Sequence, residues 1–584
     1  MANDRRAPSS NGAPEIGGEN VLARIPRLHP AWYLLLLPIL GTGILWWWLF
    51  HGVPYDDAFI YYRYARNLVA GHGLTFNPGE RVEGFTGFLW LLLQALAYAL
   101  RLDMPAASMV INALSILAIL LLLWLLTYRE DRHPLFAFLA PFFYICFPVN
   151  VFWSTSGLET TFYSALLILA FHIYTRNPSP RRHLATGLIL FAAAITRVEG
   201  VAFYLMFLTV EGIVFLRHRD RPHRERLVCL SVGIGFFLLF LVFRYSYFGY
   251  LLPNTYYAKM GGGWATIRNG LQYVKEYVLS GALGIWGACY LLLYSIRMIG
   301  WVRKGSYLLA LVIVLGMMAL VVKGGGNNLP MWRYLAPANA FIAYLAAECI
   351  ADVYYLARPG ILKAIRVAMV LLLTILFSCG PAYYVFANEH IVDFVRTNEL
   401  FYRIAKFHGL YLTELLDPKQ CVAINAMPFL AYYYDGCILD MLGLVDAHIA
   451  HRSVPMGIRP HGHEKGDGEY VLQREPDVVF YAGAPFYLTH PLKQFPDLKH
   501  LGYLSEQELL AHPEFAAAYE PYNIRVGKVY VHFLKRKQAA LRSVDTDAFW
   551  TEHGYLMEKR ETFAGLNAIH AYCRQRWIGR FLML

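Results

Sequence analysis

Charged residues are scarce in this chain. Asp, Glu, Lys and Arg make up 16% of its 584 residues, whereas soluble proteins carry about 25%. Hydrophobic residues reach 57%, and the mean hydropathy is +0.38. A soluble core cannot hide that much apolar surface, and a disordered chain would be more polar. The composition excludes both classes and indicates a protein whose solvent is lipid.

Several motifs that mark other protein classes are missing. The eight cysteines contain no CxxC pair, and the chain has no internal repeat of the kind common in transporters. No cleavable signal peptide is expected, because the first apolar run is long enough to span a membrane. Cys421 and Cys437 lie in a polar region and are able to pair in an oxidising compartment, which leaves Cys573 over.

The net charge of +11 would suit a nucleic-acid-binding protein if it were spread over a polar surface. Dividing the sequence after residues 27 and 385 gives net charges of +1, +12 and −2 for the three parts. The whole excess lies in the most hydrophobic part, where basic residues mark the cytoplasmic ends of membrane spans. We therefore expect membrane lipids, and no nucleic acid, as partners.

Apolar runs near the length of a membrane span predict about 11 transmembrane helices. The runs are Ala31–Phe50, Ala107–Tyr128, Pro134–Phe147, Glu159–Tyr174, Leu184–Ile195, Val201–Leu216, Leu227–Tyr245, Gly281–Ile296, Tyr307–Val322, Tyr334–Leu356 and Val367–Phe386. A twelfth run, Phe85–Leu100, decides the topology. Only if it is interfacial or re-entrant do all the basic clusters between later spans lie on the side of the basic N-terminus, as the positive-inside rule requires.

This topology predicts a multi-pass protein of the inner (cytoplasmic) membrane with a cytoplasmic N-terminus. Residues 1–30 form a disordered cytoplasmic leader, and residues 31–388 form the transmembrane domain, with a first external loop at 51–106. Residues 389–584 form an extracytoplasmic α/β domain, because short apolar runs there alternate with turns. The predicted strands are Cys421–Ile424, Cys437–Asp440, Asp477–Tyr481 and Val529–Leu534, with a helix at Ser505–Ala511.

Paired acids open the first external loop. Asp56 suits the N-cap of a helix, and Gly71 suits its C-terminal stop. Asp56 and Arg63 share one stripe of this helix and lie about 10 Å apart along its axis, a spacing that suits a sugar hydroxyl and a phosphate. Pro78 and Gly79 fit the centre of a type II turn, which predicts a small hairpin. The alternative is structural: the acids cap the helix, and the arginines bind lipid headgroups.

Further polar motifs follow in the later loops of the predicted external face. The first loop contains Asp56-Asp57, Arg63, Arg66-Asn67-Leu68, Ala70-Gly71-His72-Gly73 and Phe76-Asn77-Pro78-Gly79-Glu80-Arg81-Val82-Glu83. The later motifs are Thr155-Ser156-Gly157-Leu158-Glu159, Thr196-Arg197-Val198-Glu199, Leu252-Pro253-Asn254-Thr255 with Ala258-Lys259, Gly324-Gly325-Gly326 with Arg333-Tyr334-Leu335-Ala336-Pro337, Leu442-Gly443-Leu444 and Gly462-His463-Glu464-Lys465.

In this order the motifs resemble those of the GT-C superfamily of polyprenyl-phosphate-sugar-dependent glycosyltransferases, and within it the terminal arabinofuranosyltransferases of cell-wall arabinan. The resemblance covers most of the chain. It implies a polytopic α-helical membrane protein with the GT-C fold, about 11 transmembrane helices, interfacial helices in the first external loop and a C-terminal extracytoplasmic α/β domain.

The resemblance also implies an active site on the external face. A first-loop aspartate, Asp56 or Asp57, is expected to act as the base that activates the acceptor hydroxyl. The cations expected at the donor phosphate are Arg63, Arg197, Lys259 and Arg333. The residues expected at the acceptor or sugar are Glu159, Glu199, Asn254, His463 and Glu464. The alternative for each cation is a snorkelling or ion-paired side chain.

The predicted function is transfer of a sugar, with arabinofuranose as the nearest match, from a polyprenyl-phosphate donor to a cell-envelope glycan or lipid. No cofactor is required, and a divalent cation remains an open alternative. The C-terminal histidines match no standard zinc-ligand spacing; they are His448, His451, His461 and His463, close in sequence to Asp440, Asp446 and Glu464. The alternative functions are a transporter or flippase of lipid-linked sugars and a non-catalytic envelope assembly protein.

Overall fold

The structure is a computed structural model. It describes residues 29–52, 54–176, 178–261, 263–280, 305–327, 331–356, 389–425, 428–456, 462–481 and 503–557, with a few isolated residues between these ranges. The predicted leader and the predicted span Gly281–Ile296 lie outside the described residues, as does most of Val367–Phe386.

Helices form the described part of the N-terminal region. They are α1 (Leu36–Phe50, after a 3-10 turn from Pro30), α2 (Asp56–Val69), α3 (Phe88–Ala99), α4 (Met104–Thr127), α5 (Leu135–Cys146), α6 (Pro148–Thr155), α7 (Thr160–Thr175), α8 (Pro180–Thr196), α9 (Gly200–His218), α10 (Arg221–Phe248), α11 (Asn254–Lys259), α12 (Gly263–Ser280), α13 (Gly305–Gly324) and α14 (Ala338–Leu356). Nine of the eleven predicted apolar runs coincide with helices of this set.

Five helices in the described part are long and apolar enough to cross a membrane, and the α5–α6 pair, bent by 58°, brings the number to six. The five are α1 with its preceding turn, α4, α9, α10 and α13. Pro148 causes the bend, because it begins α6 without an N–H group to continue the hydrogen bonds of α5. The chain is thus a multi-pass membrane protein, and the total of about 11 spans stays a prediction.

The run near residue 90 that decides the topology forms only the short helix α3. Its 12 residues extend about 18 Å, less than the roughly 30 Å hydrocarbon thickness of a bilayer. Its length agrees with an interfacial or re-entrant helix, which is the arrangement that the charge distribution favours. The basic cluster Arg217–Arg226 then lies at the turn between α9 and α10, at the opposite end of these helices from Arg197 and α11.

The first-loop helix α2 differs from the expectation by one residue at its start. Its N-cap is Tyr55, and the Asp56 side chain accepts a hydrogen bond from the Asp57 backbone N–H (2.8 Å). The type II turn forms, with Gly79 at φ +92°. The predicted hairpin is wrong, since the described residues 71–87 contain no strand. The polar side chains there instead bind the C-terminal region, as described below.

A five-stranded mixed sheet forms the core of the C-terminal region. Helix α15 (Glu389–Leu415) leads to β1 (Cys421–Ile424), α16 (Pro428–Tyr433), β2 (Cys437–Asp440), α17 (Ala447–His451), α18 (Gly468–Gln473), β3 (Val478–Phe480), α19 (Leu504–Ala511), α20 (Phe515–Ala518), β4 (Tyr519–Val526), β5 (Val529–Arg536) and α21 (Thr546–His553). The strand order is β2-β1-β3-β5-β4, with β1 parallel to β2 and β3, and β5 antiparallel to β3 and β4.

The four predicted strands are confirmed, and one edge strand was missed. Strand β4 escaped prediction because Pro521 interrupts its first half, and a proline argues against a strand except at the edge of a sheet, where β4 lies. Cys421 and Cys437 occupy opposite positions of β1 and β2 and form a disulfide. The bond closes the loop that carries α16, which contacts α2.

Candidate active site

A cavity of about 490 Å³ lies where the polar loops meet. Its wall is formed by α2, the segment 84–86, the starts of α7 and α9, α11, the end of α13 and the turn before α14. Of the predicted site residues, it brings together Asp57, Arg197, Glu199, Lys259 and Arg333. These residues come from loops that are spread over some 280 positions of the sequence. The sequence predicts that these loops lie on one face, and in the structure their side chains meet in one cavity.

Two arginines and three carboxylates form an ion-pair network in the cavity wall. Arg197 binds Glu159 (2.5 Å) and Glu199 (3.1 Å). Arg333 binds the same Glu159 oxygen (3.0 Å) and lies 3.6 Å from Asp57. Glu159 is fully buried, and its Oε1 atom contacts both guanidinium groups. Glu159 is therefore a buried anion that fixes both arginines beside the cavity.

The turn before α14, which leads to Arg333, has an unusual backbone conformation at two residues. Met331 and Trp332 both have positive φ angles, 63° and 40°, which non-glycine residues adopt rarely and at a cost. The indole N–H of Trp153 donates to the Met331 carbonyl (2.7 Å) and stabilises this turn. Gly325 and Gly326 also have positive φ, but their N–H groups donate to carbonyls at the end of α13. The glycine-rich stretch thus ends a helix and lets the chain turn towards Arg333.

Two lysines provide the other positive charges of the cavity. Lys259 ends α11, and Lys323 lies in the last turn of α13. Neither forms an ion pair with a carboxylate of the described residues, whereas both arginines do. An anion entering the cavity would therefore find both arginines already in close ion pairs and both lysines outside the ion pairs of the described residues.

The two first-loop acids occupy different environments. Asp57 lines the cavity beside Arg333. Asp56 turns back onto the Asp57 N–H and interacts with the side chain of Tyr55. Burial, followed by the negative charge of Asp57, raises the pKa of Asp56 to about 8, although nearby Lys259 counteracts part of this rise. The pair thus presents one carboxylate to the cavity and keeps the other beside it.

One side of the cavity wall is apolar. Its residues come from two of the membrane-crossing helices, α9 and α13; they are Phe203, Leu205, Met317, Leu320 and Val321. Leu205 is 51% exposed, and Leu315 on α13 is 54% exposed. In a membrane protein such side chains face lipid, so the polar site adjoins a hydrophobic surface that an acyl or prenyl chain can reach.

Arg63 lies away from the cavity wall, contrary to its predicted role at the donor phosphate. Its side chain is 2% exposed and donates to the carbonyl oxygens of Ala431, Tyr434 (3.0 Å), Gly436 (2.8 Å) and Phe76 (2.9 Å). These acceptors occupy all the strong donor positions that would otherwise hold a phosphate. Arg63 joins α2 to the C-terminal region.

Three predicted acceptor-site residues also belong to this junction or border it. Asn254 is buried, and its amide donates to backbone carbonyls of residues 443–446. Glu464 is buried in the C-terminal region, and the half-buried His463 lies near the ring of Tyr503. The preceding Gly462 packs against the side chain of Lys259, so this segment adjoins the cavity behind its lysine.

Sequence reasoning missed Lys323 and the tyrosines of the cavity. The guanidinium of Arg197 lies over the rings of Tyr163 (5.9 Å) and Tyr334 (5.2 Å), contacts that favour a cation. Lys323 ends an apolar span, where a lysine is ordinarily interpreted as a membrane anchor. Its place in the wall follows from the packing of α13, which hydropathy does not report.

The C-terminal histidines do not form a zinc cluster in the described residues. No group of three or more His, Cys, Asp or Glu side chains among them has a geometry that could hold a metal ion. His448 and Arg452 bind Asp467 instead, and His461 lies outside the described residues.

Comparison with known proteins agrees with this architecture. The chain is similar in structure to ArnT from Cupriavidus metallidurans, solved by crystallography with undecaprenyl phosphate bound, with a TM-score of 0.53 and 13% identity over 88% of this chain and 100% of that one. The protein therefore has the GT-C fold of a polytopic membrane protein, with a small sheet in its C-terminal region.

Two curated relatives carry the name terminal beta-(1->2)-arabinofuranosyltransferase. The protein from Mycobacterium tuberculosis is 29% identical over 238 residues, 38% of this chain and 37% of the relative. The protein from Corynebacterium glutamicum is 28% identical over 271 residues, 42% of this chain and 38% of the relative. The similarity thus spans less than two fifths of either relative. Residues 390–536 match a family described as "Domain of unknown function (DUF8728)".

Proposed function

We propose that the protein is a membrane glycosyltransferase that moves a sugar from a polyprenyl-phosphate donor to a cell-envelope glycan or lipid. One observation carries the proposal: a single cavity combines a carboxylate, Asp57, with two lysines that form no ion pair within the described residues and an apolar wall on two membrane-crossing helices of the described part. A lipid-linked sugar needs these three features together, because it has a reacting sugar carbon, an anionic leaving group and a long apolar chain.

The chemistry divides among these groups. The carboxylate of Asp57 accepts the proton of the acceptor hydroxyl as the new glycosidic bond forms, a role that contributes about 10² to 10⁴-fold. The sugar–phosphate bond breaks, and the phosphate leaves with an additional negative charge. Lys259 and Lys323 bind the donor phosphate, since neither is held in a close ion pair of the described residues, and stabilise the charge that develops. The arginines hold Asp57 and Glu159 in position.

The prenyl chain lies along the apolar wall between α9 and α13. Leu205 belongs to this wall and is exposed towards lipid, so a donor diffusing in the bilayer enters without leaving the hydrocarbon. The ArnT crystal structure has undecaprenyl phosphate bound, which supports a polyprenyl phosphate as carrier. The names of the two curated relatives support arabinofuranose as the sugar.

The reaction takes place on the extracytoplasmic face of the inner membrane. The basic cluster between α9 and α10 marks the cytoplasmic ends of these helices, and the cavity lies at their other ends. The Cys421–Cys437 disulfide in the C-terminal region supports the same orientation, because such bonds persist in oxidising compartments.

The experiment is transfer by the purified protein in proteoliposomes, with polyprenyl-phosphate arabinofuranose, other polyprenyl-phosphate sugars and arabinan acceptors. We expect product from the wild type and a loss of about 10² to 10⁴-fold in Asp57→Asn. Asp131→Asn, which changes an exposed acid distant from the cavity, is the control and should retain full activity.

Other outcomes would decide against the proposal. Normal transfer by Asp56→Asn, Asp57→Asn and the double variant would exclude the first-loop base. Movement of the lipid-linked sugar across the bilayer without any transfer product would support a flippase. If no donor gives either a transfer product or translocation, the remaining alternative is a non-catalytic assembly protein.

A further inference from the structure

The short helix α11 forms one wall of the cavity but cannot hold itself in place. Its residues Thr255, Tyr256 and Lys259 line the cavity, together with the flanking Pro253 and Met260. With six residues, α11 has fewer than two turns, and isolated helices of that length are unstable in water. The position of the Lys259 ammonium group therefore depends on what binds α11 from outside.

Asn254, the first residue of α11, makes that connection. Its side-chain amide nitrogen donates to the carbonyl oxygens of Gly443 (2.8 Å), Leu444 (3.1 Å) and Asp446 (3.2 Å). Its backbone N–H donates to the carbonyl of Glu83 in the first external loop (2.9 Å). Three carbonyl oxygens converge on this NH₂ group, so the start of α11 must present a hydrogen-bond donor at this position.

The loop that supplies these carbonyls, Met441–Asp446, is itself fixed by the C-terminal sheet. The buried Asp440 at the end of β2 accepts hydrogen bonds from the N–H groups of Leu442 (2.9 Å) and Val445 (2.9 Å). Gly443 takes a φ of +80°, which allows the tight turn. Leu444 reaches the cavity wall, so the same loop that binds Asn254 also contributes to the site.

Two further contacts hold α11 against the C-terminal region. A Cβ atom added at Gly462 would lie 3.6 Å from Cε of Lys259, so this glycine packs along the lysine side chain. The ring of His451 lies 4.3 Å from that of Tyr257. The C-terminal region thus contacts α11 at its first residue, on its outer face and along its lysine.

We propose that Asn254 is a positioning residue through which the C-terminal region holds Lys259 at the donor phosphate. The inference rests on the proposed function, because it assigns the phosphate to Lys259. It gives Asn254 a role different from the predicted contact with sugar. It also makes the C-terminal region part of the donor site, although of that region only Leu444 reaches the cavity wall in the described residues.

A double-mutant cycle tests the inference through binding rather than turnover. The probe is undecaprenyl phosphate, titrated against the full-length protein in detergent micelles by microscale thermophoresis. We expect Lys259→Gln and Asn254→Ala each to weaken binding about tenfold, as for loss of one charge-assisted contact. In the double variant, binding should be no weaker than in Lys259→Gln alone, because Asn254 acts through that lysine.

The matched control is Asn77→Ala. Asn77 also ties the C-terminal region to the membrane part, donating to the Ile438 carbonyl (2.8 Å) and accepting from its N–H (3.1 Å), but it does not contact α11. Any loss of binding in Asn77→Ala should therefore be the same with and without Lys259→Gln. If Asn254→Ala does not fold, Asn254→Ser, which keeps one donor, takes its place in the cycle.

The outcomes separate the inference from the proposed function. If Asn254→Ala weakens binding equally in the wild-type and Lys259→Gln backgrounds, the positioning role is wrong while the proposed function stands. If the wild type neither binds undecaprenyl phosphate nor transfers sugar, the proposed function is wrong, and the inference is wrong with it.

Discussion

Two buried arginines, Arg63 and Arg333, come from the same set of predicted phosphate-binding cations and end in opposite surroundings. Arg63 donates to neutral backbone carbonyls at the junction between α2 and the C-terminal region. Arg333 binds Glu159 and approaches Asp57 at the edge of a cavity. A guanidinium surrounded by carbonyls is fully occupied and holds structure together. One that shares carboxylates beside a cavity can respond to a ligand, so the partner determines the role.

The largest effect should come from the cavity side. Replacing Arg333 with Gln removes the positive charge beside Asp57 and leaves Glu159 with a single arginine, so transfer should fall about 10²-fold, as when one charge-stabilising donor is lost. Arg333→Lys keeps the charge but loses the planar geometry of the guanidinium group. Its transfer rate should therefore lie between those of the wild type and Arg333→Gln. Transfer rates with saturating donor measure this, with the exposed Arg268→Gln as control. Full activity of Arg333→Gln would remove the distinction between the two arginines.

A smaller effect on transfer concerns Asp56, at the start of α2, the helix that connects the cavity with the C-terminal junction. Its pKa of about 8 means that it loses its proton near neutral pH. If the ionised pair is needed, the wild-type rate should rise about tenfold per pH unit below pH 8 and then level off. The Asp56→Asn variant should lose this rise. A pH profile of the initial transfer rate in both proteins measures it.

The same group should affect stability in the opposite direction. Because burial raises the pKa of Asp56 in the folded protein, its contribution to stability is present below about pH 4 and is lost as pH rises towards 8. As pH rises from 4 to 8, the thermal midpoint of Asp56→Asn should therefore increase relative to that of the wild type. An unchanging difference would show that the pKa of Asp56 is not raised in the folded protein.

On the junction side we expect lost stability with transfer reduced only a few-fold. Arg63→Gln would leave several buried carbonyls without a donor, at about 1 to 3 kcal/mol for each unsatisfied group. The thermal midpoint should drop clearly, while the protein that remains folded keeps its affinity for undecaprenyl phosphate. Thermal unfolding and lipid binding, measured on the same sample, separate this result from that of Arg333→Gln. A selective loss of binding would restore Arg63 to the phosphate site.

The smallest effect on transfer is expected from the disulfide. The bond between Cys421 and Cys437 joins residues 16 positions apart, and closing such a loop stabilises a protein by about 3 kcal/mol. The double change to Ser should lower the thermal midpoint and leave the transfer rate unaltered at temperatures well below it. A large loss of transfer would show that the loop with α16 controls the cavity through α2.

Much of the architecture was predictable because it depends on local sequence. The apolar runs predicted nine of the described helices, and short alternating runs predicted four of the five strands. The topology in which α3 does not cross the membrane stays a prediction from the basic residues. The conformation of the first loop was not predictable in the same way, and the predicted hairpin does not form. Its turn forms, but Asn77 and the neighbouring backbone bind Ile438 and Arg63 instead of pairing with each other.

The candidate site was predictable as a set of loops and less so residue by residue. Asp57, Arg197 and Arg333 could be found because charged residues at the ends of apolar runs are few. Lys323 was missed because a lysine at the end of a span has an ordinary explanation as an anchor. The role of Asn254 could not be inferred from its motif, since its three acceptors lie about 190 residues further along the chain.

By itself, the sequence determined that this is a multi-pass membrane protein with its polar chemistry gathered in loops on one face. Composition, hydropathy and charge bias act locally, and the bilayer imposes the same rules on any chain. Only the tertiary structure decided which cation borders the cavity and which joins the two regions. Arg63 and Arg333 have the same chemistry, and the groups that fill their hydrogen bonds come from distant segments that meet only when the chain folds.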